Sequence, residues 1–270
     1  MLEIKLGFVG AGQMAQALAR GLVQAESIEA RQISVYDPLR EAVEAFQQHV
    51  PDVQVAVDNR QVVADSDVFI LAVKPQVMQG VFDELQGHVA PDRLVVSIAA
   101  GVSLDRLCAG LGTQRVIRVM PNTPCLVGCG AAAYSLADGA SASDGDLVGQ
   151  LLSAVGTSAR VQEEALDAIT GLSGSGPAFV FAMIEALSDG GVLLGLPREL
   201  ATAFAAQTVR GAAQMVTETG EHPAVLRDRV TSPGGTTIAG LQVLESHAVR
   251  AACIAAVQAA ADRSRVLSKQ

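Results

Sequence analysis

An α/β domain followed by an all-helical one is what this 270-residue sequence predicts, on three observations. A short apolar run, Ile4 to Val9, passes directly into Gly10-Ala11-Gly12-Gln13-Met14-Ala15 and then into a helical pattern reaching about Val23. Apolar runs of strand length then recur, each ending in a loop and most followed by a helical pattern, until about residue 162. From Glu163 onward strand patterns stop and alanine-rich helical patterns take over. Alternation of this kind builds a mostly parallel sheet, and its end marks a change of domain. We therefore expect a Rossmann-like dinucleotide-binding domain over residues 1–162 and a helical domain over residues 163–270.

The first element carries the argument for a dinucleotide. In the pattern Gly10-x-Gly12-x-x-Ala15 the first glycine makes the tight turn and the second admits a pyrophosphate. The small third residue lets the helix pack on the strand. The second strand, Gln32 to Tyr36, ends at Asp37. A carboxylate there suits the ribose hydroxyls of NADH, whereas Arg40, three residues on, suits the extra phosphate of NADPH. Asp37-Pro38 is equally a helix start, so the choice between NADPH and NADH stays open. Val53 to Val57, Val68 to Val73, Leu94 to Ile98 and Arg115 to Met120 continue the strands. Ligands of an open parallel sheet bind outside the carboxyl ends of its strands. Asn59, Lys74, Ala99, Ala100 and Asn122 fall at such ends and outline a cofactor groove. Cys129 to Ser135 is strand-like, Asp138 to Asp146 a loop and helix start, Leu147 to Val155 helical, and Ala159 to Gln162 an edge strand.

In the second half Leu172-Ser-Gly-Ser-Gly-Pro177 punctuates one helical segment and opens another, from about Pro177 to Leu194. That helix is apolar on nearly every face, which in so small a domain points to burial against a partner subunit. Pro197 starts the next helix, to about Glu218, and His222-Pro223 a shorter one. A closing helix runs from about Ala248 to Leu267. Between them lies Thr231-Ser232-Pro233-Gly234-Gly235-Thr236-Thr237. Two glycines after a proline let backbone approach a ligand, and a helix starting at Thr236 or Thr237 presents free N–H groups to a carboxylate or phosphate.

Composition narrows the partners. Half of the residues are hydrophobic, yet only 3% are aromatic and none is Trp, so the apolar mass is mainly Ala, Val and Leu. A net charge of −9 without a Lys or Arg cluster argues against nucleic acid. Cys108, Cys125, Cys129 and Cys253 lack metal-ligand spacing, so no metal is expected. The N-terminus lacks the long apolar run of a signal peptide, and Pro121 to Pro124 interrupt the longest uncharged stretch. A soluble, cytoplasmic protein with no membrane partner is expected.

The chemistry follows from what is missing. A dinucleotide domain joined to a helical one suggests hydride transfer to a small molecule. No lysine lies between Lys74 and Lys269, and Tyr36 and Tyr134 are the only tyrosines, which leaves His222 and His247 as candidate bases. A reaction needing little acid–base help fits better, and reduction of an already electrophilic cyclic imine is one. Such an enzyme mainly supplies orientation and an anchor for a carboxylate.

These residues resemble the pyrroline-5-carboxylate reductases over essentially the whole chain. The resemblance rests on Gly7-Phe-Val-Gly-Ala-Gly-Gln-Met-Ala15, Ala72-Val-Lys-Pro75, Ser97-Ile-Ala-Ala-Gly101 and Met120-Pro-Asn-Thr-Pro124. In the helical half it rests on Asp167-Ala-Ile-Thr-Gly-Leu-Ser-Gly-Ser-Gly-Pro177. Its most specific part is Val230-Thr-Ser-Pro-Gly-Gly-Thr-Thr237, continuing through Gly240-Leu241 and Leu244-Glu245 to Arg263-Ser264. It implies reduction of 1-pyrroline-5-carboxylate to L-proline with NADPH or NADH, and a pyrophosphate held by Val9, Gly10, Ala11, Gly12, Gln13 and Met14. It further implies a cofactor contact from Asn59 and a nicotinamide side lined by Ala72, Val73, Lys74, Pro75, Ile98, Ala99 and Ala100. Thr236 and Thr237 are implied to bind substrate, Thr237 catalytically at the ring nitrogen, with Ser232 and Gly235 shaping a carboxylate pocket. Glu163 matches a position that touches bound proline in the family. Dimers interlocked through the helical domain, and rings of such dimers, are implied as well. Asp37 departs from members with a small hydroxyl residue at that position.

Overall fold

The computed structural model describes residues 1–268. The chain packs as two compact units, Met1–Ser175 together with the segment beginning at Ala259, and Gly176–Gln258. In the first unit β1 (Leu6–Val9), α1 (Gln13–Gln24), β2 (Ile33–Tyr36), α2 (Arg40–His49), β3 (Gln54–Val55) and α3 (Asn59–Asp65) form the first half of the sheet layer. There follow β4 (Val68–Leu71), α4 (Met78–Leu85), β5 (Leu94–Ser97), α5 (Leu104–Leu111) and β6 (Val116–Met120). The unit closes with β7 (Gly130–Leu136), α6 (Ala142–Ser153), β8 (Gly156–Arg160) and α7 (Ala165–Ile169).

The strands form one eight-stranded sheet in the order β3-β2-β1-β4-β5-β6-β7-β8. Every pairing is parallel except β6 with β7. The link between those two is a 3₁₀ turn at Thr123–Val127, with no crossover helix to return the chain to the other end of the sheet. Strand order reverses between β1 and β4, which opens the crevice at their carboxyl ends where such sheets take ligands. Both strands are buried along their whole length, as their unbroken apolar sequences require. One face packs Phe8 on Phe46 with ring centroids 5.6 Å apart, and Leu22 and Ile33 beside them. The other face gathers Phe69, Leu71, Met78 and Leu107. Each such side chain contributes about 1.5–3 kcal/mol by leaving water.

The strand at residues 53–57 shrinks to Gln54–Val55, at the exposed edge. α6 starts at Ala142, within the stretch read as a loop and helix start, where Ser141 and Asp144 form a reciprocal capping box. The same Asp144 accepts two hydrogen bonds from Arg115, at 2.6 Å and 3.1 Å, tying the start of α6 to the residue before β6. These bonds are the main reason the Asp144 carboxyl lies below its usual range, outweighing burial. Because the folded value lies below the unfolded one, the stabilisation is complete above about pH 4 and is lost as pH falls through the folded value. Melting curves over an acid pH series are expected to fall more gently for Asp144→Asn than for the unaltered chain.

The second unit holds α8 (Gly176–Leu193), α9 (Arg198–Thr219), α10 (Pro223–Arg229), α11 (Thr236–Ser246) and the greater part of α12 (Val249–Leu267). α8 packs on α9, where the buried Ser188 hydroxyl meets Thr202 at 2.8 Å and accepts from Arg198 at 3.0 Å. The glycine-rich stretch before α8 is not a break. Thr170–Gly174 forms a π-helical turn that carries α7 on towards α8. The run Ala165–Leu193 is long and apolar enough to cross a membrane, and only 6% of its most apolar window is buried within the chain. Phe181 and Phe204 are more than 60% exposed. The packing division at Ser175 lies beyond residue 163, because Leu166 of α7 is fully buried in the first unit, where α7 packs on β7.

Candidate functional site

The first unit carries a glycine turn at the end of β1. Gly10 has φ +102°, and a Cβ there would lie 2.9 Å from the Ala72 carbonyl oxygen, so only glycine fits. Its N–H donates to the Tyr36 carbonyl oxygen at 2.8 Å. Gly12 is the N-cap of α1 with no side-chain cap, and a Cβ there would meet nothing within 4 Å. The amino end of α1 therefore faces open space with unpaired N–H groups and a partial positive charge, which fits a pyrophosphate. Val9 and Ala11 are buried, while Gln13 and Met14 are partly or fully exposed beside the turn.

Asp37 belongs to this loop. Its carboxylate accepts the Ala11 N–H and the Leu39 N–H, each at 2.9 Å, so the end of β2 is tied to the glycine turn. Arg40 is turned onto Glu44 at 2.7 Å. Gln16 is a residue the sequence reading missed. It is buried on α1 and its Nε2 donates to the Ala11 carbonyl oxygen at 2.8 Å, bracing the turn from behind. A glutamine set among Ala15, Ala17, Leu18 and Ala19 was the available signal.

The neighbouring strand ends complete the groove wall. The Ala72 N–H donates to Val9 at 2.8 Å and the Ile98 N–H to Leu71 at 3.1 Å, so the Ala72–Pro75 and Ile98–Ala100 segments continue the sheet outward. Val73 lies against Gly10, Lys74 is exposed before the 3₁₀ turn that begins at Pro75, Ala99 is buried and Ala100 exposed. Asn59 is buried at the first turn of α3, where its Nδ2 donates to Glu84 at 2.7 Å. Glu84 is thus a second support the sequence did not reveal. Asn122 is also buried; its Oδ1 accepts the Ala131 N–H at 2.9 Å and its Nδ2 donates to Ser173 at 3.0 Å. It clamps β6, β7 and the π-helical turn together.

Glu163 sits behind this wall. Its Oε1 accepts from Arg118 at 2.7 Å and from the Leu104 N–H, at the start of α5, at 2.8 Å. Arg118 is a charged residue buried in β6, and Glu163 is its partner.

The second unit presents the other predicted feature on its own. Gly234 has φ +66°, and Gly235 is the N-cap of α11 with no side-chain cap. A Cβ on Gly235 would lie 2.3 Å from the Ser232 hydroxyl, so Ser232 and Gly235 close the turn against each other. Thr236 and Thr237 are the first two helical residues, and neither hydroxyl has a hydrogen-bond partner among the described residues. Unpaired N–H groups and two uncommitted hydroxyls make a carboxylate cradle. The candidate bases are otherwise engaged. His222 Nδ1 accepts the Ala224 N–H as the N-cap of α10, and His247 Nδ1 lies 2.9 Å from the Val243 carbonyl oxygen.

Two family profiles match the chain. One, described as pyrroline-5-carboxylate reductase dimerisation, covers residues 163–267. The other, described as NADP oxidoreductase, coenzyme F420-dependent, covers residues 5–101. A pyrroline-5-carboxylate reductase of Arabidopsis thaliana is 49% identical over 271 residues, spanning 99% of this chain and 96% of that protein. The solved pyrroline-5-carboxylate reductase of Coxiella burnetii is 36% identical, with a TM-score of 0.93 over 100% of each chain. The Plasmodium falciparum pyrroline carboxylate reductase, solved with NADP bound, is 32% identical, with a TM-score of 0.88 over 99% of each chain.

Proposed function

This chain belongs to the pyrroline-5-carboxylate reductase family, and from that premise we propose how its residues divide the work. It is an NAD(P)H-dependent oxidoreductase that reduces the C=N bond of 1-pyrroline-5-carboxylate to give L-proline, the last step of proline biosynthesis. When bound, the reduced dinucleotide supplies the hydride. In our reading Val9 to Met14 hold its pyrophosphate, Asp37 bears on its ribose, and Asn59, Ala72 to Pro75, Ile98 to Ala100 and Asn122 shape the rest of its groove. The substrate carboxylate is held at Ser232, Gly235 and Thr236, and the Thr237 hydroxyl positions the ring nitrogen. Glu163 supports the substrate side. The observation that carries this reading is the open, uncapped amino end of α11 behind Gly234 and Gly235.

The domain division at residues 162–163 stands as part of the same proposal. The chain carries a dimerisation domain, and a second copy is the occupant we assign to its exposed apolar helices, in place of a membrane. Assembly of dimers into a ring and a cytoplasmic location complete the reading.

The deciding experiment follows oxidation of NADH and NADPH, at matched concentrations, with 1-pyrroline-5-carboxylate. Turnover is the expected result. Preference for NADH would assign the choice to Asp37, and preference for NADPH to Arg40. Tight cofactor binding without turnover would overturn the activity and leave a dinucleotide-binding regulator.

A further inference from the structure

We propose that the cavity bounded by Pro75, Ala100, Arg106, Thr170, Ser175 and Arg263 is an oxyanion-binding pocket. It lies wholly within the first unit and encloses about 560 Å³, room for a small carboxylate or phosphate with its water.

Charge is the first argument. Arg93, Arg115, Arg118 and Arg265 each pair with a carboxylate, but the guanidinium groups of Arg106 and Arg263 have no ion-pair or hydrogen-bond partner among the described residues. Asp167, on the helical turn beside the cavity, accepts the Ser264 hydroxyl at 2.6 Å. Asp262, next to Arg263, is spent on Arg265 at 2.5 Å. Among the described residues no carboxylate lines the cavity itself, in a chain whose overall charge is −9. Two uncompensated arginines facing one cavity in so acidic a molecule mark a place for a negative ligand.

Donor supply is the second argument. The Ser175 hydroxyl has no partner among the described residues, whereas Thr170 already donates to the Leu166 carbonyl oxygen at 2.7 Å and is left as an acceptor. The pocket therefore offers two guanidinium forks and a hydroxyl proton, a donor-rich set that matches an oxyanion and not a cation. Thr170 belongs to the π-helical turn and Ser175 follows it directly, and turns of that kind are frequent at functional sites. Pro75 and Ala100 belong to the segments assigned above to the nicotinamide side. The effect of the bound anion on imine reduction rests on that assignment; the pocket itself does not.

Two sources share this chemistry: a free inorganic oxyanion, and the substrate's single carboxylate, which would then leave the cradle at Ser232, Gly235 and Thr236. The test has two arms on the full chain, each with Arg263→Gln and Arg106→Gln, both changes at residues outside the packed core. Calorimetric titration with inorganic phosphate, at ionic strength fixed with chloride, is expected to show binding that weakens about tenfold in either variant. Steady-state kinetics with 1-pyrroline-5-carboxylate then separate the sources. A KM raised about tenfold in the variants, with phosphate competing in the unaltered enzyme, assigns the pocket to the substrate carboxylate. A phosphate effect on turnover without competition, lost in the variants, assigns it to a free oxyanion. Unchanged phosphate binding together with unchanged KM in both variants overturns the pocket. Weakened phosphate binding in a chain that never turns over the imine would uphold the pocket and overturn the activity instead.

Discussion

A Thr237→Ala enzyme is expected to reduce the imine about 100-fold more slowly while binding reduced cofactor with unchanged affinity. Thr237 is the second residue of α11, a helix whose N-cap is glycine and whose first turn receives no side-chain cap. Its hydroxyl makes no hydrogen bond among the described residues, so it is held by the helix start and remains free for a ligand. An imine needs little acid–base help, so most of the protein's contribution is the orientation of a small, charged ring. Losing one positioned hydrogen bond in such a site costs turnover more than it costs folding. Thr237→Ser keeps the hydroxyl and should restore turnover to within a few-fold. Thr237→Val keeps the shape and should not. Steady-state rates beside a fluorescence titration of the reduced cofactor separate the two effects. Undiminished turnover in Thr237→Ala and Thr237→Val would remove the assigned role.

What the sequence disclosed about the site is what depends on local chemistry. Gly10 needs a positive φ, and Gly234-Gly235 followed by two threonines makes a helix start, whatever else surrounds them. The strands were equally legible, since buried parallel strands such as Val68–Leu71 require unbroken apolar runs. Long-range partners were hidden. Asn122 was visible as a residue at a strand end, yet its clamp runs to Ser173, 51 residues away. The pairing of β6 with β7 was hidden for the same reason, because antiparallel neighbours follow from a short link and not from the strand's own pattern. The Leu172-Ser-Gly-Ser-Gly-Pro177 stretch does open α8, at Gly176, but its glycines do not end the helical segment before it. A Cβ on Gly174 would lie 2.6 Å from the terminal methyl of Met120, and the helix continues through Gly174 as a π turn. Arg118 left a readable trace: a charge in the middle of Val-Ile-Arg-Val-Met must find a carboxylate. Which one, only the fold could say.

That carboxylate is Glu163, and its removal is expected to cost about 3 kcal/mol of stability, a melting temperature lower by roughly 6–12 °C. Glu163 Oε1 accepts from Arg118 at 2.7 Å and from the Leu104 N–H at 2.8 Å. The Arg118 side chain is 7% exposed and Glu163 28%, so water relieves part of the loss on one side only. In Glu163→Ala the guanidinium stays buried without a counter-charge, and the amino end of α5 loses the anion that meets its dipole. The value is therefore set at the lower end for a broken buried pair. Glu163→Gln keeps an acceptor for both donors and should lose about half as much. Arg118→Met removes the demand for a counter-charge, so Glu163→Ala combined with it should recover most of the stability, a coupling that a double-mutant cycle reads directly. The same set separates the two things Glu163 can do. If it acts through the ion pair, any rise in KM for the imine in Glu163→Ala disappears in the double variant along with the instability, because the α5 start and the Ile98–Ala100 segment before it regain their place. If it also touches substrate, the rise in KM persists in a double variant that melts normally. A Glu163→Ala chain that melts with the unaltered one would show that Arg118 draws its compensation from elsewhere.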